Sequence, residues 1–168
     1  FTESGLSPRG IPGWGEGLVV LDSDEHDVEG HITEDMNLRA KMVNKRLKKL
    51  DLLKKDVLPL ELVGPENYKT LIIGWGSTSP IMKEALERLE REDTALLHFK
   101  QVYPLHSNTS DYLQKAKKRV IVENNGTAQF GQLIRMQTGF DMDHKILKYN
   151  GLPFSVEELE ERLKSVLD

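Results

Sequence analysis

The chain has 168 residues, no cysteine and a formal net charge of -4 at neutral pH. Without cysteine it can hold no disulfide, thiolate nucleophile or cysteine-ligated iron–sulfur cluster, and its acidic balance argues against a nucleic-acid binder working through a global positive field. With 38% hydrophobic and 30% charged residues it reads as a soluble globular protein with one core, and no apolar run approaches the roughly 20 residues needed to span a bilayer, so no membrane role is expected.

Residues 1–17, FTESGLSPRGIPGWGEG, are dense in Gly and Pro and lack apolar periodicity, which reads as an irregular segment. Leu18 to Leu21 suits a short strand, but the polar loop DSDEHDVEGHITED that follows is long for the inside of a compact domain. Residues 1–35 are therefore expected to be the tail of a preceding domain. The N-terminus has neither a basic n-region nor an apolar h-region, leaving the cytoplasm as the default location, and an opening at Phe1 suggests a piece of a longer protein.

From Met36 to Val57, Met36, Ala40, Val43, Leu47, Leu50, Leu53 and Val57 recur at spacings of three and four, with Lys and Arg between them. This predicts an amphipathic connecting helix, ended by Pro59 and the Gly64-Pro65 pair. Residues 36–64 thus form a connecting helix and linker. Strands and helices then alternate: strands at 69–75, 94–99, 120–123 and 145–149, helices at 80–92, 110–118, 127–138 and 156–167. Strands joined by single helices require right-handed crossovers, so the expected fold is α/β, a doubly wound, mostly parallel sheet over residues 65–168.

Helix ends are also legible. Ser155 with Glu158 forms a capping box, with Phe154 stapled onto Leu159 and a buried stripe at Val156, Leu159, Leu163 and Val166. Ser79 before Pro80 fits N-cap then N1, and Gly139 suits a left-handed C-cap. Val120-Ile121-Val122 reads as a strand covered on both faces. It runs into the polar turn Glu123-Asn124-Asn125-Gly126-Thr127, with Thr127 placed to cap a helix whose Phe130, Leu133 and Ile134 face the core.

The candidate sites lie in five places. Gly74-Trp75-Gly76-Ser77-Thr78 links a strand to a helix, where backbone N–H groups can cradle an anion; however, it lacks the third glycine of a dinucleotide fingerprint and the lysine of a P-loop, so a plain turn is the simpler reading. Asp22, Asp24, Glu25, His26, Asp27, Glu29 and His31 are metal-ligand residue types, but their spacing matches no EF-hand or His-x3-His pair, and no metal site is expected. Arg9 and His106 stand in loops without an acid–base partner nearby in sequence. The amides of Asn124, Asn125 and Gln129, with Glu123, are costly to bury unless bonded to something, which favours an interface or ligand role at the carboxyl end of their strand.

ENNGTAQF resembles the Glu-Asn-Asn-x-x-x-Gln signature of the α subunits of 2-oxoacid:ferredoxin oxidoreductases, the 2-oxoglutarate type in particular. SGLSPRGIPG is similar to that family's Ser-Pro-Arg-x-x-Pro-Gly loop, DEHDVEGHITED to its Asp-Glu-His-Asp-x-x-Gly-His-x-Thr-Glu-Asp stretch, and MVNKRLKKL, GWGSTSPIMKEALERL and LKYNGLPFSVEEL to its connecting helix and C-terminal domain. The resemblance implies a transketolase C-terminal-like domain at 65–168, preceded by the end of a domain that binds the pyrimidine side of thiamine diphosphate. It implies an oxidoreductase complex using thiamine diphosphate, magnesium, iron–sulfur clusters and CoA, with β, γ and δ subunits and ferredoxin as partners. It places none of those cofactors and no catalytic residue on this segment, which alone is expected to be inactive. Arg9, His26, His31, Glu123, Asn124, Asn125 and Gln129 become interdomain or intersubunit candidates. The competing reading is a free-standing α/β domain binding a nucleotide or CoA in a crevice between Gly76, His106 and Asn124.

Overall fold

The alternation of short apolar runs with amphipathic helices produces a five-stranded sheet. In the computed structural model, which describes residues 3–19 and 24–167, the strands are β1 (Glu61–Val63), β2 (Thr70–Trp75), β3 (Thr94–Phe99), β4 (Lys118–Glu123) and β5 (His144–Leu147). Their spatial order is β1-β3-β2-β4-β5. β2, β3, β4 and β5 run parallel, whereas β1 pairs antiparallel with β3, placing Glu61 opposite His98. The chain runs outward from β2 to β3 and then returns past β2 to β4. The winding direction therefore reverses between β2 and β4, and the carboxyl ends of those strands flank the crevice where open α/β sheets usually make their contacts.

Helices cover both faces. Ile72, Leu96, Val120 and Val122 pack under α2 (Ser79–Leu89) and α5 (Val156–Leu167), through Met82, Leu86, Leu159 and Leu163. Leu71, Ile73, Leu97, Phe99 and Ile121 pack under α3 (Thr109–Lys115) and α4 (Gln129–Thr138), through Leu113, Phe130 and Ile134. The central strands are apolar on consecutive residues because each face has its own helical layer. The expected doubly wound, mostly parallel α/β fold is thus present. Gly74 lies directly beneath Met82, and a Cβ there would stand 2.4 Å from its flexible thioether end, which would have to shift.

Several boundaries differ from those expected. β1 lies in what reads as linker; three half-buried residues beside Gly64-Pro65 are too few for a periodicity signal. α2 begins at Ser79, with Thr78 as N-cap, after a 3-10 turn at Gly76–Thr78, so Ser79 does not cap. α3 stops at Lys115 because β4 begins at Lys118. The Ser155 cap is formed, its Oγ accepting from the Glu158 N–H at 3.2 Å, and Gly139 takes the left-handed C-cap at φ 79°.

The residues divide into two compact units, Phe1–Asp56 and Val57–Asp168. The first is built on α1 (Met36–Leu53), whose Asp35 N-cap accepts from the N–H groups of Asn37 and Leu38. The helix ends at Leu53, not Val57, and turns its expected apolar stripe outward. Met36, Ala40, Val43 and Leu47 are exposed, and Met42 is the one buried residue of this helix. The reason lies at Gly5, which approaches the opposite face so closely that a Cβ would come within 2.6 Å of the Lys45 carbonyl oxygen. Val20 and Leu21, half of the expected early strand, fall outside the described residues, and Leu18 and Val19 form no strand. No described helix is long and apolar enough to cross a membrane.

Leu159 is fully buried beneath the sheet. Leu159→Ala is expected to cost about 2–5 kcal/mol, read as a lower urea midpoint at unchanged slope; a loss under about 1 kcal/mol would show that this layer is not tightly packed.

Candidate functional site

β4 delivers Glu123 to the carboxyl edge of the sheet, where its side chain is only 1% exposed. The backbone then passes through Asn124 to Thr127, and Ala128 takes the left-handed conformation at φ 53° as N-cap of α4. That alanine contributes no side-chain cap, so the first-turn N–H groups need other acceptors. Glu123 Oε2 accepts from the Phe130 N–H at 3.1 Å and Oε1 from the Gly131 N–H at 3.0 Å. Asn125 Oδ1 accepts from the N–H groups of Thr127 and Gln129, while its Nδ2 donates to Glu123 Oε2 at 2.6 Å. A carboxylate seven residues upstream thereby does the work expected of Thr127, whose carbonyl instead accepts from Gln132 Nε2. The helix dipole reinforces the arrangement, because the carboxylate sits at its positive end.

The turn sorts its own residues. Glu123 and Asn125 use their polar atoms within it, whereas Asn124 and Gln129 are exposed; Asn124 reaches only to the Leu152 carbonyl, at 3.4 Å. The neighbouring β2 turn stands at the same edge, since Ile73 pairs with Ile121 and both strands end a few residues later. Trp75, 40% exposed, tilts against Phe130 at 6.3 Å, and Phe130 meets Phe99 edge-on at 4.9 Å. Gly76 and Ser77 are exposed beside them.

Sequence reasoning passes over His98. It is buried, with Nε2 3.1 Å from the Gly76 carbonyl oxygen and Nδ1 3.5 Å from Glu61 Oε2. It therefore anchors the turn that holds Gly76. Glu61 also meets Lys83, at 2.6 Å, and Lys100, and the Lys83 ammonium holds its carboxyl below the usual carboxylate range. The only sequence signal was a histidine in an otherwise apolar strand.

The remaining candidates lie apart. His106 Nδ1 accepts from the Asn108 N–H in the turn before α3, and no carboxylate among the described residues is paired with it. Arg9 is exposed. In the first unit, His26 bridges to Ile32, and Asp27 Oδ1 accepts from the N–H groups of Glu29 and His31, with His31 Nδ1 3.7 Å from the other carboxylate oxygen. Glu25 pairs both oxygens with Arg46, at 3.1 and 2.7 Å. Of the acidic run, Asp27 is thus spent on a turn and Glu25 on an ion pair, while Asp24 and Glu29 are exposed. Asp22 lies outside the described residues, among which no three potential ligands are grouped for a metal ion.

The Arg46 guanidinium holds the Glu25 carboxyl down at about 2, from an ordinary 4.5. A carboxyl depressed on folding stabilises above its unfolded value, and the effect is lost as pH falls from 4.5 toward 2. A carbon-detected NMR titration should place the Glu25 midpoint near 2, and Arg46→Met should return it to the ordinary range; an unchanged midpoint would refute the pairing. For the sheet unit, Glu123→Ala is expected to cost about 2–4 kcal/mol and Glu123→Gln about half as much, because two buried N–H groups lose charged acceptors. Parallel denaturation curves check both, and two near-neutral variants would remove the carboxylate's role.

An α/β sheet with a polar, aromatic-edged turn at its switch point places the chain among the open, doubly wound α/β domains. No protein-family model matches the sequence. The chain is 38% identical to the α subunit of 2-oxoacid:ferredoxin oxidoreductase 1 from Sulfurisphaera tokodaii and 34% identical to the α subunit from Saccharolobus solfataricus, each match covering 99% of this chain and 27% of the relative. Its backbone also matches 2-oxoglutarate:ferredoxin oxidoreductase from Magnetococcus marinus, solved with 2-oxoglutarate, coenzyme A and succinyl-CoA bound; the TM-score is 0.80 at 25% identity, over 99% of this chain and 30% of that one. The chain is homologous over nearly its whole length to part of the α subunits of 2-oxoacid:ferredoxin oxidoreductases, and it spans about a quarter of those relatives' length.

Proposed function

We propose that the chain is the assembly portion of the α subunit of a thiamine-diphosphate-dependent 2-oxoacid:ferredoxin oxidoreductase. The reaction cleaves the bond between C1 and C2 of a 2-oxoacid, with 2-oxoglutarate as the proposed substrate, releases CO2, transfers the acyl group to the CoA sulfur and passes two electrons to ferredoxin. The observation that carries this reading is the match of 99% of the chain to about a quarter of the length of α subunits. The neighbour solved with 2-oxoglutarate and succinyl-CoA bound supports the substrate.

The same reading assigns residues 1–35 to the end of the pyrimidine-side domain and 36–64 to the connection. It assigns residues 65–168 to the transketolase C-terminal-like domain, whose sheet β1 joins from the end of that connection. Thiamine diphosphate, when bound, supplies the stabilisation of a carbanion. The present residues do not fit it or its magnesium. The N-terminus of α4 is filled by Glu123, and no described carboxylates are grouped for a metal ion. We therefore assign those groups, and the iron–sulfur clusters, to other parts of the complex, in the cytoplasm. Within this chain, Asn124, Gln129 and Trp75 present an amide and aromatic surface suited to another subunit, since interfaces favour large aromatics and few charges at their centre.

The test uses the full-length α subunit expressed with its partner subunits. Asn124→Ala with Gln129→Ala is expected to weaken assembly at least tenfold, measured by mass photometry, while the melting temperature of the α subunit stays within about 2 °C. Normal assembly by the double variant would overturn the interface role. CoA-dependent ferredoxin reduction that prefers a 2-oxoacid other than 2-oxoglutarate would remove the substrate assignment alone.

A further inference from the structure

The sequence contains two Asn-Gly steps, Asn125-Gly126 and Asn150-Gly151. Such a step is where an asparagine most readily loses its amide, because glycine has no side chain to shield its backbone nitrogen. That nitrogen, after giving its proton to a base, attacks the asparagine Cγ; a C–N bond forms, ammonia leaves and a five-membered succinimide results. Water then opens the ring at either carbonyl, leaving aspartate or, with one more carbon in the main chain, isoaspartate. No oxidant or reductant is consumed, and the product carries a new negative charge.

The two steps share this chemistry and differ in their surroundings. Asn125 is half-buried; its Nδ2 donates to Glu123 Oε2 at 2.6 Å, and its Oδ1 accepts from the N–H groups of Thr127 at 3.1 Å and Gln129 at 3.2 Å. Tyr149 lies over Gly126, where a Cβ would stand 3.5 Å from the ring. To swing its Cγ onto the Gly126 nitrogen, Asn125 must give up three hydrogen bonds, one of them to a charged acceptor. The product carboxylate would then face Glu123, a like charge. Asn150 is exposed, and its side chain makes one hydrogen bond among the described residues, Oδ1 accepting from the Leu152 N–H at 3.1 Å. Gly151 takes φ 85°, and a Cβ there would meet nothing within 4 Å.

We infer that Asn150-Gly151 is a deamidation site and that the Glu123 carboxylate keeps Asn125-Gly126 closed to the same reaction. The open step adjoins the polar turn: the Lys148 N–H donates to the Glu123 carbonyl oxygen, and Asn124 Nδ2 to the Leu152 carbonyl oxygen. Isoaspartate at position 150 lengthens the main chain between those two contacts, so the modification reaches the carboxyl edge of the sheet. The inference stands on the geometry of this chain, not on the family reading.

The test incubates the full-length α subunit in its complex in mildly alkaline buffer, native and in urea, and follows both asparagines by peptide mass spectrometry with fragmentation that separates isoaspartate from aspartate. Dividing each rate in urea by its native rate removes the effect of neighbouring sequence. This ratio should be at least about tenfold larger at Asn125 than at Asn150, in keeping with its two additional hydrogen bonds. A smaller difference, or no native loss of amide at Asn150, would overturn the inference. Glu123→Gln should lower the Asn125 ratio about threefold or more and leave Asn150 as it is; an unaltered Asn125 would overturn the part given to Glu123. Should that variant fail to fold, both ratios collapse together and the comparison in the unmodified complex decides.

Discussion

The sheet unit depends on one carboxylate placed where a helix begins. Glu123 ends β4 facing the first turn of α4, and both its oxygens are taken by backbone N–H groups of that turn. This single group sets where β4 stops, lets Ala128 adopt a left-handed conformation without a capping side chain of its own, and fixes α4 over Ile121 and Phe99. Asn125 completes the arrangement by bonding to Glu123 and to two further N–H groups. A buried polar group is tolerated when its partners are complete, and here they are supplied within eight residues.

The same economy explains why the first unit looks rich in ligands and behaves otherwise. Each acidic residue whose partner is visible serves local structure. Glu25 holds Arg46, Asp27 closes a turn and Asp35 caps α1. Residue types common to metal sites therefore need a spatial test, because caps and turns draw on the same side chains.

The fold was legible because the apolar runs at Leu71–Ile73 and Val120–Val122 are long enough to announce strands covered on both faces, and the helix stripes at Met82–Leu89 and Leu159–Val166 are regular. β1 was not, since three half-buried residues carry no period. The direction of α1 was not legible either; its stripe was readable, but which face the N-terminal segment takes is decided at Gly5, a contact between residues forty apart. In the candidate site, the polar cluster was visible as a string, yet its division into inward Glu123 and Asn125 and outward Asn124 and Gln129 depends on the turn's path. His98 escaped because its value lies in the Gly76 carbonyl that it meets across the sheet.

The way Glu123 is used also sets how the two surfaces of this chain should respond to their solvent. With that carboxylate consumed inside the turn, the β4 edge is left with neutral amides and aromatic rings, whose attraction ionic strength barely alters. The flanks of α1 are cationic, and contacts made there weaken as salt shortens the Debye length to about 8 Å under physiological conditions. One polypeptide segment thus carries a salt-indifferent surface and a salt-sensitive one, and changes in ionic strength act on them unequally.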